Sequence, residues 1–171
     1  METIQWRQLQ CWNRTWALAV VFGLASVPWT YVFVSGNIPL WPSFIASASF
    51  YAAGEGFDGL ASASASNLAG IAYAAATLAL VSAVGGGPLT LSFVVGGFML
   101  LASLHEFVPL LSFTPGAFFG YATMFSVNAA EATAFGVSGL AGQTLAAVVS
   151  MLAGALIGLT TDELSKRVAD S

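Results

Sequence analysis

His105 is the only histidine in the chain and Glu106 follows it directly, so an imidazole and a carboxylate stand side by side in a sequence poor in titratable groups. An imidazole changes charge near neutrality, and with Glu55 the pair makes a candidate pH-sensitive gate or proton-coupling site. On that reading, His105→Ala flattens the pH profile of uptake measured across roughly pH 5 to 8. The alternative reading treats Glu55, Asp58, His105, Glu106 and Glu131 as water-facing groups at the ends of apolar segments. A charge held inside a bilayer would cost at least about 2.5–3.5 kcal/mol.

Other chemistries lack their residues. There is no Gly-x-Ser-x-Gly, no phosphate-cradling Gly-x-x-x-x-Gly-Lys run and no second histidine for a catalytic or zinc-binding pair. Gly85-Gly-Gly-Pro lacks the lysine and reads as a turn. Cys11 is a single cysteine, which excludes an intrachain disulfide and a thiolate metal cluster. The expectation is therefore a protein that is not an enzyme, with no metal and no cofactor.

The uncharged polar residues fall into helical stripes. Ser43, Ser47, Tyr51 and Gly54 recur at one turn of spacing, as do Ser112, Gly116, Gly120 and Thr123. Ser66 with Asn67 extends a third stripe, and Gln143 belongs to a fourth that ends in Gly154 and Gly158. Small residues at four-residue spacing let membrane helices approach closely, the role expected of Gly154 and Gly158. The sharper reading is a narrow pathway lined by Ser43, Ser47, Tyr51, Ser66, Asn67, Ser112, Pro115, Gly116, Gly120 and Gln143. Hydroxyls and an amide can replace some hydrogen bonds of a small neutral solute but compensate an ion poorly. Pro115 either opens a helix or frees a backbone carbonyl deeper in the membrane.

These stripes must be carried by membrane-embedded elements. Hydrophobic residues make up 57% of the 171 positions, charged residues 7%, and mean hydropathy is +0.83; ordinary soluble domains hold about 45–50% and about 25%. Apolar segments over 15–35, 39–55, 60–83, 89–106, 109–128 and 135–160 predict six spans in one membrane domain covering 1–171. The first is expected to be retained as a span, since another follows immediately. Gly36-Asn-Ile-Pro, Gly54-Glu-Gly-Phe-Asp-Gly and Gly85-Gly-Gly-Pro supply turns.

Arg7, Arg14, Lys166 and Arg167 flank the spans and no internal loop carries a basic residue, which predicts cytoplasmic termini in a multi-pass inner-membrane protein. A net charge of −4 with no basic patch excludes a nucleic-acid role. Trp6, Trp12, Trp16, Trp29 and Trp41 suit an interfacial aromatic belt.

The second half repeats the first. Trp41-Pro-Ser-Phe-Ile-Ala-Ser-Ala-Ser-Phe-Tyr-Ala corresponds to Leu111-Ser-Phe-Thr-Pro-Gly-Ala-Phe-Phe-Gly-Tyr-Ala, Ile38-Pro-Leu to Val108-Pro-Leu, and Ser66-Asn-Leu-Ala-Gly to Ser138-Gly-Leu-Ala-Gly. The expected fold is all-α, an integral membrane protein of six transmembrane helices arranged as two inverted three-helix repeats, 15–83 and 89–160, followed by a cytoplasmic tail, 161–171. An odd number of spans per repeat forces the inversion.

At Leu110-Leu-Ser-Phe-Thr-Pro-Gly-Ala-Phe-Phe-Gly, and at Trp41-Pro-Ser-Phe with Phe50-Tyr-Ala-Ala-Gly-Glu-Gly-Phe-Asp-Gly-Leu, the chain resembles the YcdZ-like bacterial inner-membrane proteins over nearly its full length. That resemblance implies a six-span inner-membrane protein of a family without an assigned activity. Thr114-Pro-Gly-Ala-Phe-Phe-Gly is also similar, with Pro115 inserted and the spacing shifted, to the Thr-Gly-x-x-Phe-Gly run of proton-gated urea and amide channels. This second likeness suggests a substrate class. The expected function is a channel or facilitator for a small neutral solute such as urea, an amide, ammonia or a gas, with the lipid bilayer and further copies of the chain as partners. A proton-coupled secondary transporter and a non-transporting scaffold are the alternatives.

Overall fold

The computed structural model describes residues 2–170, with side chains described from 13 to 170. Trp6, Arg7, Cys11 and Trp12 lie outside the described side chains. Among the described residues there are six α-helices and no strand: α1 (Glu2–Ser35), α2 (Trp41–Ala52), α3 (Gly56–Val84), α4 (Pro88–Ser103), α5 (Thr114–Ala129) and α6 (Gly139–Ala169). Short 3-10 turns at Leu104–Phe107 and Pro109–Leu111 join α4 to α5.

Proline and glycine set several of these boundaries. α2, α4 and α5 each carry proline in the first turn, where the missing N–H would have had no helical partner. Gly85 ends α3 in the left-handed conformation, at φ +68°. Pro28 lies inside α1, which continues to Ser35.

The expectation of six full crossings is corrected. Four segments are long and apolar enough to cross a membrane, namely Asn13–Ser35, Gly56–Val84, Pro88–Phe107 and Gly139–Ala169. The 12 residues of α2 and 16 of α5 rise only about 18 Å and about 24 Å, against a hydrocarbon core of about 30 Å. Hydropathy had merged these helices with their apolar turns, including Pro39-Leu40 and the 3-10 segment after Val108. The segment expected as a tail, 161–171, continues α6 as helix to Ala169.

The short helices sit inside the bundle. α2 packs chiefly on α6 and α5 chiefly on α3, while α1 packs on α6 and α4 on α3; α3 also meets α6, and α2 meets α5. Exchanging α1 with α4, α2 with α5 and α3 with α6 leaves these pairings unchanged, whereas the smaller contact of α4 with α5 has no counterpart of its size between α1 and α2. Trp41, at the start of α2, hydrogen-bonds Ser126 near the end of α5, whereas Ser49 reaches Asn67, whose carbonyl faces Gly120. α2 and α5 therefore run in opposite directions. One proposed match has no spatial counterpart: Ser66 is buried within α3, but Ser138 stands just before α6.

The core is built from alanine, β-branched and methionine side chains, including Ala46, Ile71, Ala74, Met124, Val127 and Met151. Outward faces of the peripheral helices are also apolar, with Leu24, Val27 and Tyr31 exposed on α1 and Leu89 and Phe93 on α4. Exposed apolar faces on helices of this length belong in lipid. Trp29 departs from the expected belt: it is buried, and its indole N–H donates to Ser43 Oγ at 3.0 Å.

Candidate functional site

The bundle interior contains a polar layer without charge, centred on Asn67. This residue is 1% exposed, and its Oδ1 accepts a hydrogen bond from Ser49 Oγ at 2.9 Å. Gly120 brings α5 against the Asn67 backbone so closely that a Cβ there would fall 1.9 Å from the carbonyl oxygen. A Cβ on Gly116 would meet Ser66 Cβ at 2.8 Å and Asn67 Oδ1 at 3.2 Å. The two glycines of the α5 stripe thus cradle the polar residues of α3.

Several atoms in the buried interior have no protein hydrogen-bond partner. They are Ser47 Oγ on α2, Ser66 Oγ and Asn67 Nδ2 on α3, Thr123 Oγ1 on α5 and Ser150 Oγ on α6. Buried polar groups are nearly always satisfied, and an unmet one costs about 1–3 kcal/mol. Such atoms are suited to a polar guest.

Other sequence candidates have local partners. Ser43 Oγ donates to Leu40 O and accepts from Trp29, while Tyr51 Oη lies 2.9 Å from Thr161 Oγ1. Gln143 Oε1 accepts from Asn128 Nδ2 at 2.8 Å. Ser112 is corrected: it precedes α5 rather than sharing its stripe, is exposed, and donates to Pro109 O. Pro115 is exposed in the first turn of α5, so the helix-start reading holds and no deep carbonyl is freed. Gly154 and Gly158 both face α2, where a Cβ on Gly154 would fall 2.0 Å from Ser43 O.

The titratable cluster expected around His105 does not form. His105 is buried and its Nε2 lies 2.8 Å from Tyr73 Oη on α3; Nδ1 has no hydrogen-bond partner, and Glu106 is exposed. Glu55 instead pairs with Arg14. The sequence brought these residues to one end of their spans, but early termination of α4 lets His105 turn inward to the bundle.

Asp162 is the main feature that sequence reasoning missed, because it fell in the supposed tail. It is 1% exposed, receives Lys166 Nζ at 2.6 Å, and lies 3.4 Å from an Arg14 nitrogen. Its four-residue spacing from Lys166 was the available signal. Ser49 was missed because it lies off the Ser43–Ser47 stripe; α2 is enclosed on more than one face, and a single-stripe reading fails there. Glu55 has φ +64° and ψ −178°, a region that is essentially glycine-only, with a strain of about 1–3 kcal/mol.

An all-helical bundle with four membrane-length apolar helices, an apolar exterior and an uncharged polar layer around Asn67 defines a membrane protein. The match to a family model described as "Protein of unknown function (DUF1097)" spans residues 19–166, and the chain belongs to that family. No curated protein and no solved structure matches it.

Proposed function

We propose that this protein is a channel or facilitator for a small, neutral, hydrogen-bonding solute in a bacterial inner membrane, with both termini cytoplasmic. The observation that carries this reading is the uncharged layer at Ser47, Ser66 and Asn67, where buried polar atoms have no partner. Solutes such as urea or a short amide can exchange water hydrogen bonds for these groups. An ion would lose hydration without a compensating charge.

The architecture proposed is a pair of inverted three-helix repeats. Opposed α2 and α5, together with helix pairings that survive exchange of the halves, support it. Each short helix then reaches into the bundle and packs on the third helix of the other repeat. As analogies of sequence, the likeness to YcdZ-like proteins suggests six spans and that to urea and amide channels suggests the substrate class.

Purified protein in liposomes is expected to raise permeability to urea, acetamide or ammonia above that of protein-free vesicles, measured by stopped-flow light scattering or internal pH. No flux across that panel would overturn the reading and favour a scaffold. A proton-coupled carrier is the second reading, favoured by the buried Asp162 carboxylate. Flux that requires a proton gradient and shows counterflow would select it over the passive pore.

Homo-oligomer formation belongs to the proposal, through α4 rather than the glycine stripes. Gly116, Gly120, Gly154 and Gly158 are occupied by helices of the same chain, whereas a Cβ on Gly96 or Gly97 meets nothing within 4 Å. Light scattering after size exclusion tests the stoichiometry.

A further inference from the structure

We propose that Arg14 is the latch of a cytoplasmic gate, tying α1 to the Gly54–Gly56 turn and to α6, and that its release opens access to Ser47. The opening of a pathway rests on the transport reading above; the latch itself does not. Arg14 contacts Glu55 and Asp162, so one guanidinium joins three parts of the bundle. Lys166 holds Asp162 from the other side and also approaches Glu163 at 3.5 Å.

The turn gripped by Arg14 is strained. Gly54, Glu55 and Gly56 have φ of +105°, +64° and +62°, and only Glu55 among them carries a side chain. Backbone in this state persists where surrounding contacts hold it. Arg14 supplies such a contact, and losing it leaves a three-residue hinge between α2 and α3 free to relax. A bistable element of this kind gives a gate its two positions.

The latch stands between outside space and the polar interior. A groove of about 550 Å³, lined by Asn13, Arg14, Lys166, Ala169 and Asp170, reaches it from the end that carries the chain termini. On its inner side, Tyr51 Oη bonds Thr161 Oγ1 and lies 3.3 Å from Gly158 O. One step deeper, a Cβ on Gly158 would lie 3.2 Å from the unpartnered Ser47 Oγ. Movement of the α2 end away from α6 would separate Tyr51 from Thr161 and expose this hydroxyl.

The two ends of the bundle differ in charge. All Lys and Arg of the chain stand at positions 7, 14, 166 and 167, so the turn bearing Glu131 has no cation near it in sequence. Glu131 is exposed at φ +51°. An ionic latch of this composition can therefore be built at the terminal end alone.

The test uses the full chain in liposomes with Cys11→Ala and Ser47→Cys, labelled by a membrane-impermeant maleimide from the face carrying the termini. Arg14→Gln and Glu55→Gln are each expected to raise the labelling rate about tenfold by populating an open minor state, while Arg14→Lys retains slow labelling. Hydrogen exchange across 53–57 is expected to rise with it. Unchanged labelling in both neutral variants overturns the latch, as does an equal rise at an Asn128→Cys probe in the opposite half, which indicates general loosening. Glu55→Gln keeps the test decisive if Arg14→Gln fails to fold. Faster labelling without solute flux upholds the latch and sinks the transport reading; flux with unchanged labelling does the reverse.

Discussion

Gly120→Val is expected to lower stability by about 2–3 kcal/mol, the upper part of the usual overpacking range. At this position even one added carbon would fall 1.9 Å from Asn67 O and 2.7 Å from its carbonyl carbon. The obstacle is backbone, which cannot rotate away as a flexible side chain does. Accommodation requires α5 to separate from α3, its principal neighbour, with loss of packing along the contact. Thermal unfolding in detergent measures the effect. Gly23→Val supplies the control, since that site on α1 is open and the same substitution there should shift the unfolding temperature little.

The second large effect separates folding from function. The double variant Ser49→Ala with Asn67→Leu removes both partners of the buried 2.9 Å hydrogen bond, a change that can be nearly neutral when shape is kept. It also removes the unpartnered Asn67 Nδ2, leaving an apolar plug beside Ser66 and Gly116. On the proposed function, solute flux falls about tenfold or more, equivalent to at least about 1.4 kcal/mol at the barrier, while the unfolding temperature remains close to that of the parent. Full flux in a well-folded double variant would remove Asn67 from the pathway. The single variant Asn67→Leu should be less stable than the double, because Ser49 then keeps a buried hydroxyl without its acceptor.

The opposed predictions arise from two kinds of buried contact. Gly120 is held by steric necessity, so enlarging it affects the whole bundle. Asn67 carries polar atoms beyond those needed to satisfy Ser49. Stability and activity are expected to diverge there, as they commonly do at sites retained for function.

Much of the architecture was legible in the chain because its signals are local. Apolar runs place the six helices, and glycine and proline clusters place their turns. Helix length was less legible. The bilayer signal measures apolar character, and a short helix followed by an apolar 3-10 turn gives the same signal as a full crossing. That ambiguity also placed His105 at a charged membrane edge, whereas it turns inward to Tyr73.

By itself, the sequence determined an all-helical membrane protein and located the small uncharged residues that pack its helices: these properties depend on composition and spacing along one element. Only tertiary structure decided that α2 and α5 are short inner helices, that Ser43 and Tyr51 have partners while Ser47, Ser66 and Asn67 retain free polar atoms, and that Asp162 is buried beneath Arg14 and Lys166. Satisfaction of a hydrogen bond or charge depends on groups brought from distant parts of the chain. Spacing can nominate a polar face, but the neighbouring helices decide which of its atoms remain available.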